Sequence, residues 1–480
     1  MLRKHRYRKL LPNVTLLAVS ALPWSWLPFV NVAELAQQPI VGQITVLGVL
    51  VIIVGINFGI LKLSLQLLQY LYKRQPEWVW LLQAVGVWAL TETAIAWLVA
   101  VIWMGPGGRI DTILPFFSAT PFLMYTPLGY LSRFVGYFGL SAVFVVGVAA
   151  VVLPKTRRFA AAYWLVVTIT TITAWGLYAK PNGPPLTATI VAEQLSYPKN
   201  VTVTASQLVV LPEYGLDKYT SDTAQTRFTT KQKDFYYVGS RQEETSFGYK
   251  NVLVNGSYAR GFINSTPKDR LIPGGEHLSY WVSGLLQVFS PSTYSDFQVR
   301  RQIIRGDKPA RPFSIGNSTS VGSAACSSII APDDYRRLTQ EGANVLTNSA
   351  SLEIFAGSSL FNVQHRGLSK FIASANARPF LQSSNNWQAF ALDSNGRQTA
   401  AIDVGNTKEL QVQTNRKRTP YTYLGEWVSL VGGLQLVWLF GACVYARFPQ
   451  DPTITARCGL SAVNSSAKLD NFHIGFYICQ

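Results

Sequence analysis

Two patterns of apolar residues divide the chain. Up to residue 179 they run in long blocks, at 10–30, 41–69, 79–104, 130–153 and 159–179, and one more block lies at 423–446. A helix crosses a bilayer with about 20 mostly apolar residues, so six spans are expected. The stretch 112–128 (TILPFFSATPFLMYTPL) is also apolar, but Pro115, Pro121 and Pro127 break it, and it reads as an interfacial or re-entrant segment. Between 180 and 420 the blocks give way to short β-like runs: TATIVAEQL, SQLVVLPEYG, DFYYVGS, YKNVLVNGSYARGFI, ANVLTNSAS, ARPFLQSSNNWQAFALD and QTAAIDV. Asn255-Gly256 falls between two alternating runs and predicts a hairpin turn there. Helical spacing is confined to PDDYRRLTQEGA and FNVQHRGLSKFIASANA. Strands mixed with helices over this length predict an α/β or α+β domain with a sizeable core.

Charge placement turns these blocks into a topology. The 480 residues are 48% apolar and only 14% charged, with a net charge of +17 and a mean hydropathy of +0.17. A soluble chain is nearer a quarter charged. The charge is not spread evenly, because 26 of the 42 basic and 18 of the 25 acidic residues lie in 180–420. Arg3, Lys4, Arg6, Arg8 and Lys9 precede the first block, Lys73-Arg74 follow the second, and Lys155, Arg157 and Arg158 lie between the fourth and fifth. The alternate loops hold Glu34, then Arg109 beside Asp111. The positive-inside rule therefore places the N-terminus in the cytoplasm and the segment 180–420 outside it. The expected organisation is a membrane domain at 1–179, an extracytoplasmic α/β domain at 180–420, a last span at 421–447 and a cytoplasmic tail at 448–480. Lys62, Glu92 and Arg133 lie within or beside spans, either as functional groups or as snorkelling or partly buried ones. The basic excess thus follows topology and gives no support to nucleic-acid binding. Four cysteines exclude a disulfide scaffold, and the four histidines (5, 277, 365, 473) are too scattered for a metal set.

Three places carry reactive side chains where a strand run ends. Glu213 directly follows LVVLP, Lys268-Asp269-Arg270 precede LIPGGEHL with Glu276, and Cys326 closes GSAAC just before a helix opened by Pro332 and Asp333. An acid at a strand end can reach a cleft while its strand stays buried. A thiol at a strand-to-helix junction can feel helix dipoles that favour thiolate. Each also has a plainer reading: a solvated turn acid, a solvated lysine, a small buried hydrophobe.

Taken in order, these segments resemble the nitrilase superfamily with its Glu-Lys-Cys triad, and more narrowly the apolipoprotein N-acyltransferase family of bacterial envelopes. LVVLPEYG is similar to that family's apolar-run-Pro-Glu segment. TPKDRLIPGGEHL is similar to its Lys-x-x-Leu-Val-Pro-Phe-Gly-Glu segment, with Lys268 and Glu276 at the family's separation. GSAACSSIIAPDDYRRLTQEGANVLTNSAS, which includes Asn348, resembles its nucleophile segment, and QHRGLSKFIASANARPFLQSSNNWQAFALDSNGR the helix and strand that follow. In the membrane part, PLGYLSRFVGYFGLSAV is similar to its Gly-x-Tyr-Gly-Leu-Ser helix entry.

The resemblance implies a nitrilase-like α-β-β-α sandwich on a polytopic helical membrane region in the cell inner (cytoplasmic) membrane, facing the periplasm. Cys326 is then the nucleophile that takes an acyl chain from a phospholipid as a thioester, Glu213 the general base and Lys268 the oxyanion partner. Glu276 is a second carboxylate, and Ser328 and Asn348 support the triad or orient the substrate. The acceptor is the N-terminal amine of a diacylated lipoprotein, and no metal or diffusible cofactor is implied. The sequence departs from the family where Ser327-Ser328 stand in place of Tyr-Glu after the nucleophile, and where Pro273-Gly274-Gly275-Glu276 replaces Pro-Phe-Gly-Glu. Ser328 can hydrogen-bond but carries no charge. These changes keep open an altered chemistry, amide hydrolysis or acyl transfer to another amine, and a non-catalytic binding role.

Overall fold

The computed structural model describes residues 2–31, 39–194, 200–246, 248–272, 275–300, 302–355 and 358–447. Glu34, Pro273, Gly274 and the tail 448–480 lie outside the described residues. The chain resolves into two compact units, Met1–Gly433 and Leu434–Gln480. Of the second, the described part is the apolar end of the helix Trp427–Arg447.

Four described helices are long and apolar enough to cross a membrane: Gly42–Arg74, Glu77–Val101, Pro127–Val152 and Arg157–Tyr178. A shorter apolar helix runs over Trp427–Gly441. The block at 10–30 is not one helix. Helix Leu2–Ala21 ends there, and two 3₁₀ turns follow at Leu22–Trp24 and Leu27–Phe29, each with a proline at its start. Proline fixes φ and lacks the N–H that a continuing helix needs. The segment 112–128 is likewise irregular, with a 3₁₀ turn at Pro115–Phe117 and one helical turn at Thr120–Leu123.

The α/β region carries fourteen described strands. They are β1 (Pro185–Glu193), β2 (Val201–Val203), β3 (Leu208–Val210), β4 (Phe228–Thr230), β5 (Tyr236–Thr245), β6 (Gly248–Ser257) and β7 (Gly261–Pro267). Then follow β8 (Phe313–Ile315), β9 (Thr319–Ala325), β10 (Val345–Ser351), β11 (Phe380–Asn385), β12 (Ala389–Leu392), β13 (Gln398–Ile402) and β14 (Thr407–Gln413). Twelve of them form one curled sheet in the order β7-β6-β5-β3-β1-β11-β10-β9-β8, with β14 also on β1 and β12-β13 on β11. Its two halves join where Ala192 and Glu193 pair with Ser384 and Asn385. The central strands β1, β3, β10 and β11 run parallel and are buried almost throughout. That is why β3 reads as an apolar run, whereas β10 (VLTNSAS) and β11 (FLQSSN) bury polar side chains as well.

One core includes Ile190, Val210 and Val238 from one half with Val345, Leu381 and Ala391 from the other. On the outer side of the β8–β13 half, helices Pro332–Gln340 and Ser359–Ala375 cover the strands through Leu338, Leu368 and Phe371. That core continues into the membrane helices through Ala89, Tyr137 and Leu140. On the other outer side the cover is the small β2-β4 pair and its loops, through Val201, Val203 and Phe228.

The α/β region is fastened to the membrane helices by polar contacts. Arg133 is fully buried and donates to the carbonyls of Ser374, Ala174 and Ser394 and to Asn395 Oδ1, at 2.8–3.1 Å. Glu426 accepts from the N–H groups of Tyr137 and Phe138 at 2.8 and 3.0 Å, where Gly136 at φ 76° interrupts the helix. Of the other charges in the spans, Glu92 accepts from Trp88 Nε1 and Ser141 Oγ, and Lys62 lies 5.6 Å over the Phe58 ring.

The Asn255-Gly256 pair is not a turn. Both residues lie inside β6, at a register shift where Asn255 faces Asn264 and Gly256 faces Phe262, and the turn comes at 258–260. A Cβ on Gly256 would overlap the Tyr237 ring, so the glycine admits a neighbouring aromatic instead of reversing the chain.

Candidate active site

Glu213, Lys268 and Cys326 all lie just past strand ends, after β3, β7 and β9. In sheets with parallel strands, residues beyond the carboxyl ends face a common crevice. Lys268 is at the centre of this one. Its Nζ donates to Glu213 Oε1 at 3.0 Å and to Glu276 Oε1 at 2.8 Å, and the lysine side chain is 1% exposed. The Cys326 thiol donates to the Ser351 carbonyl at 3.5 Å, and the charges of Glu213 and Lys268 act on it.

Glu276 is fixed from three sides, since Oε1 also accepts from Asn251 Nδ2 at 2.7 Å and Oε2 from the Ile272 N–H at 2.7 Å. Asn251 reaches on to Tyr214 OH at 3.1 Å, and its carbonyl accepts from the Lys268 N–H. The Glu213 main chain is held by the Ala350 carbonyl and by Asn385, whose amide donates to the Glu213 carbonyl. Asn348 donates to the Cys326 carbonyl at 3.5 Å.

Cys326 has φ 35° and Tyr214 has φ 63°, both in the left-handed region that side chains other than glycine's rarely occupy. Non-glycine residues hold such angles only where the surroundings over-determine them, and such positions cluster at functional sites. At Cys326 the effect is a sharp reversal between β9 and a 3₁₀ turn at Cys326–Ile330.

Electrostatics keep the resting site protonated at sulfur. Burial pushes the Cys326 thiol well up, and the Glu213 charge adds to the rise against the pull of Lys268. The expected stabilisation of thiolate by a helix dipole is not the dominant effect, because the 3₁₀ turn separates Cys326 from the helix that starts at Pro332. Burial also pushes the Glu213 carboxyl up, opposed by Lys268 and helped by Glu276. For Lys268 burial acts downward, but the two carboxylates outweigh it and its ammonium is held well above the usual range.

Ser327 and Ser328 part company. Ser327 lines the main cavity and its hydroxyl donates to the Arg270 carbonyl. Ser328 faces a separate small void with Lys268, Asp269 and Asp334. Around that side runs a charge network absent from the sequence reading. Arg270 pairs with Asp334 at 2.9 Å and with Asp111 at 3.2 Å, and Arg109 with Asp269 at 2.7 Å. Asn251 and Tyr214 were also not singled out from sequence. Asn251 lies within a strand, where nothing in a linear pattern marks which polar side chain meets the cleft.

A cavity of about 200 Å³ opens on Cys326. Its wall is almost wholly apolar, with Trp26, Ile53 and Trp103 from the membrane part, Val282, Leu286 and Phe297 from the helices Tyr280–Phe289 and Pro291–Arg300, and Phe355 and Phe361 further along the chain than Cys326. No group of His, Cys, Asp and Glu among the described residues has the geometry of a metal site.

No protein-family model matches the chain. Among curated proteins it is similar to the apolipoprotein N-acyltransferase of Nitrosomonas europaea, 22% identical over 398 residues that cover 75% of this chain and 75% of that protein. It is similar to the apolipoprotein N-acyltransferases of Shewanella oneidensis, 22% identical over 408 residues (77% and 74%), and of Vibrio vulnificus, 21% over 461 residues (86% and 85%). These alignments are longer than the α/β region, so the likeness takes in the membrane part. Among solved structures, a carbon-nitrogen hydrolase from Helicobacter pylori covers 48% of this chain and 89% of its own, at 14% identity and a TM-score of 0.34. A Saccharomyces cerevisiae member of branch 10 of the nitrilase superfamily covers 48% and 90%, at 12% and 0.33.

Proposed function

We propose that this membrane protein is an acyltransferase that moves a fatty acyl chain from a phospholipid, through a thioester on Cys326, to the N-terminal amine of a diacylated lipoprotein. The observation that carries the reading is the apolar cavity ending on a cysteine that feels a buried carboxylate–lysine–carboxylate array. Hydrocarbon is held by the cavity, and the array supplies the proton transfers.

Glu213 takes the thiol proton as sulfur attacks the ester carbonyl. Two of the three Lys268 N–H donors are occupied by carboxylates, which leaves one for the oxyanion of the tetrahedral intermediate. Collapse breaks the C–O bond, Glu213 returns its proton to the departing alkoxide, and a lysolipid leaves. The incoming amine then attacks the thioester and loses its proton to Glu213. The C–S bond breaks, sulfur is reprotonated, and an amide is formed. Glu276 and Asn251 hold Lys268 in place, and Asn348 holds the Cys326 main chain.

Both substrates are lipids, which accounts for an α/β domain tied to membrane helices. The basic loops support an arrangement in which that domain faces the periplasm from the inner membrane. The test is incubation of the purified protein with phospholipid alone, followed by mass spectrometry of the Cys326 peptide. An acyl thioester is expected, discharged by a diacylated lipopeptide and absent in Cys326→Ala. Growth of a depletion strain on Cys326→Ala would overturn the reading.

A further inference from the structure

Three residues of the cavity wall carry buried polar atoms that the proposed chemistry does not use. Trp24 and Trp26, on and just after the first 3₁₀ turn of the N-terminal segment, both line it, as does His365. The three form one patch. Trp24 and Trp26 lie 6.2 Å apart by ring centroids, Trp26 meets Phe361 edge-on at 5.0 Å, and Phe361 stacks on His365 at 5.7 Å. Gln364 fastens the segment by donating to the carbonyls of Pro23 and Phe116 at 3.1 and 3.2 Å. Trp24, Trp26 and His365 are 2%, 6% and 3% exposed. Among the described residues, neither indole N–H nor His365 Nε2 has a hydrogen-bond partner.

A buried donor left without a partner costs about 1–3 kcal/mol, and buried polar groups are nearly always paired. Three such atoms in one wall have no use in a pocket that holds hydrocarbon alone. No Lys or Arg is among the described lining residues, which argues against a charged phosphate there. The complement of two indole N–H donors is a neutral oxygen. Ile330, at the end of the turn that Cys326 opens, packs against this same cluster, so the patch lies close to the nucleophile.

We infer that Trp24, Trp26 and His365 form a reading point for a neutral oxygen on the lipid in the cavity, the carbonyl of the second acyl ester of a diacyl lipid. The inference rests on the acyl-transfer reading for its ligand class. On a two-chain lipid the second carbonyl lies a few bonds from the ester that Cys326 attacks. The patch then distinguishes a two-ester donor from other long-chain molecules. A hydroxyl on the acyl chain would offer the same oxygen chemistry.

Binding to the full chain carrying Cys326→Ala, which cannot turn over, tests this without requiring transfer. Diacyl phosphatidylethanolamine is compared with its 1-acyl-2-alkyl and 1-alkyl-2-acyl ether analogues, by displacement of a fluorescent lipid in detergent. The expected result is about fivefold tighter binding of the diester than of at least one monoether, the size of one net hydrogen bond. Trp24→Phe and Trp26→Phe should shrink that ratio below about twofold. A monoether carrying a 3-hydroxyacyl chain that regains the lost affinity also supports the reading point and assigns the oxygen to a chain hydroxyl. Equal binding of every lipid, or a ratio kept in both Phe variants, overturns it. The ester–ether comparison on protein with both tryptophans stands even if the Phe variants fold poorly. A missing Cys326 thioester, by contrast, would tell against the reaction and not against this patch.

Discussion

Lys268 Nζ sits 2.8 Å from Glu276 Oε1 and, at 3.0 Å, shares itself with Glu213. Two buried carboxylates therefore depend on one buried cation. Removing one partner of a buried ion pair typically costs about 3–5 kcal/mol, because the remaining charge is left uncompensated. Lys268→Met should abolish thioester formation and lower the unfolding temperature markedly. Glu276→Gln keeps the shape and removes one charge, so thioester formation should fall by up to about 100-fold as Lys268 loses its position, with a smaller loss of stability. Thermal unfolding and single-turnover acylation measure the two effects separately.

The pH profile follows from the same array. Glu213 must be ionised to take the thiol proton, and burial pushes its carboxyl up from the ordinary value of 4.5. Acylation should therefore rise with pH along a limb centred above that value. Glu276 adds to the upward shift, so Glu276→Gln should move the limb to lower pH even as it lowers the maximum. Lys268 is held well above its ordinary 10.5, and no fall from loss of its ammonium is expected below that. Acylation rates from pH 4 to 10 in both proteins decide the sign.

The Arg270 network makes a graded prediction. Asp334 is buried against Arg270, whereas Asp111 has a half-exposed side chain. Exposed pairs contribute about 0–1 kcal/mol, so Asp111→Asn should stay within about twofold of the native rate. Asp334→Asn leaves the buried Arg270 short of charge beside the carbonyl that Ser327 bonds. It should lower kcat about tenfold with little change in lipid KM, since no group on the cavity wall is altered.

Glu213, Lys268 and Cys326 were legible because each closes a strand run inside a segment that resembles a known family's. In LVVLP, Leu208–Val210 form the buried strand β3, and its end fixes where Glu213 emerges. What could not be read was chosen by three-dimensional neighbours. Asn251 serves Glu276 only because β6 pairs with β7 at that register. Gly256 looks like a turn residue, but it is small to admit Tyr237. The block at 10–30 has the length of a span, yet Pro23 and Pro28 turn its second half into the wall of a cavity. The helices Tyr280–Phe289 and Pro291–Arg300 fall outside the two stretches where the sequence shows helical spacing.

Gly367 marks the tightest approach between the α/β region and the irregular segment of the membrane part. A Cβ there would overlap the Pro121 carbonyl, which belongs to the backbone and has little room to yield. Gly367→Ala should push the helix Ser359–Ala375 away from Thr120–Leu123. Forcing extra volume into a packed contact costs about 1–3 kcal/mol. Because this helix also carries Phe361 and His365, the same variant should weaken lipid binding, measured by displacement of a fluorescent lipid.

His365 adds an acid-sensitive contribution to stability. Burial, with Arg366 adding to it, pulls its imidazole down to about 3, whereas an unfolded histidine titrates near 6.5. The folded state therefore holds His365 neutral, and its favourable contribution is complete above about pH 6.5. As pH falls, the unfolded chain gains a proton that the folded chain refuses, and stability is lost progressively until the folded value is reached. At pH 5 the loss from this one residue amounts to about 2 kcal/mol. His365→Gln cannot titrate, so its unfolding temperature should drop less than the native protein's between pH 7.5 and pH 5, whatever its absolute value. An equal drop in both proteins would place the acid sensitivity elsewhere and remove His365 as its source.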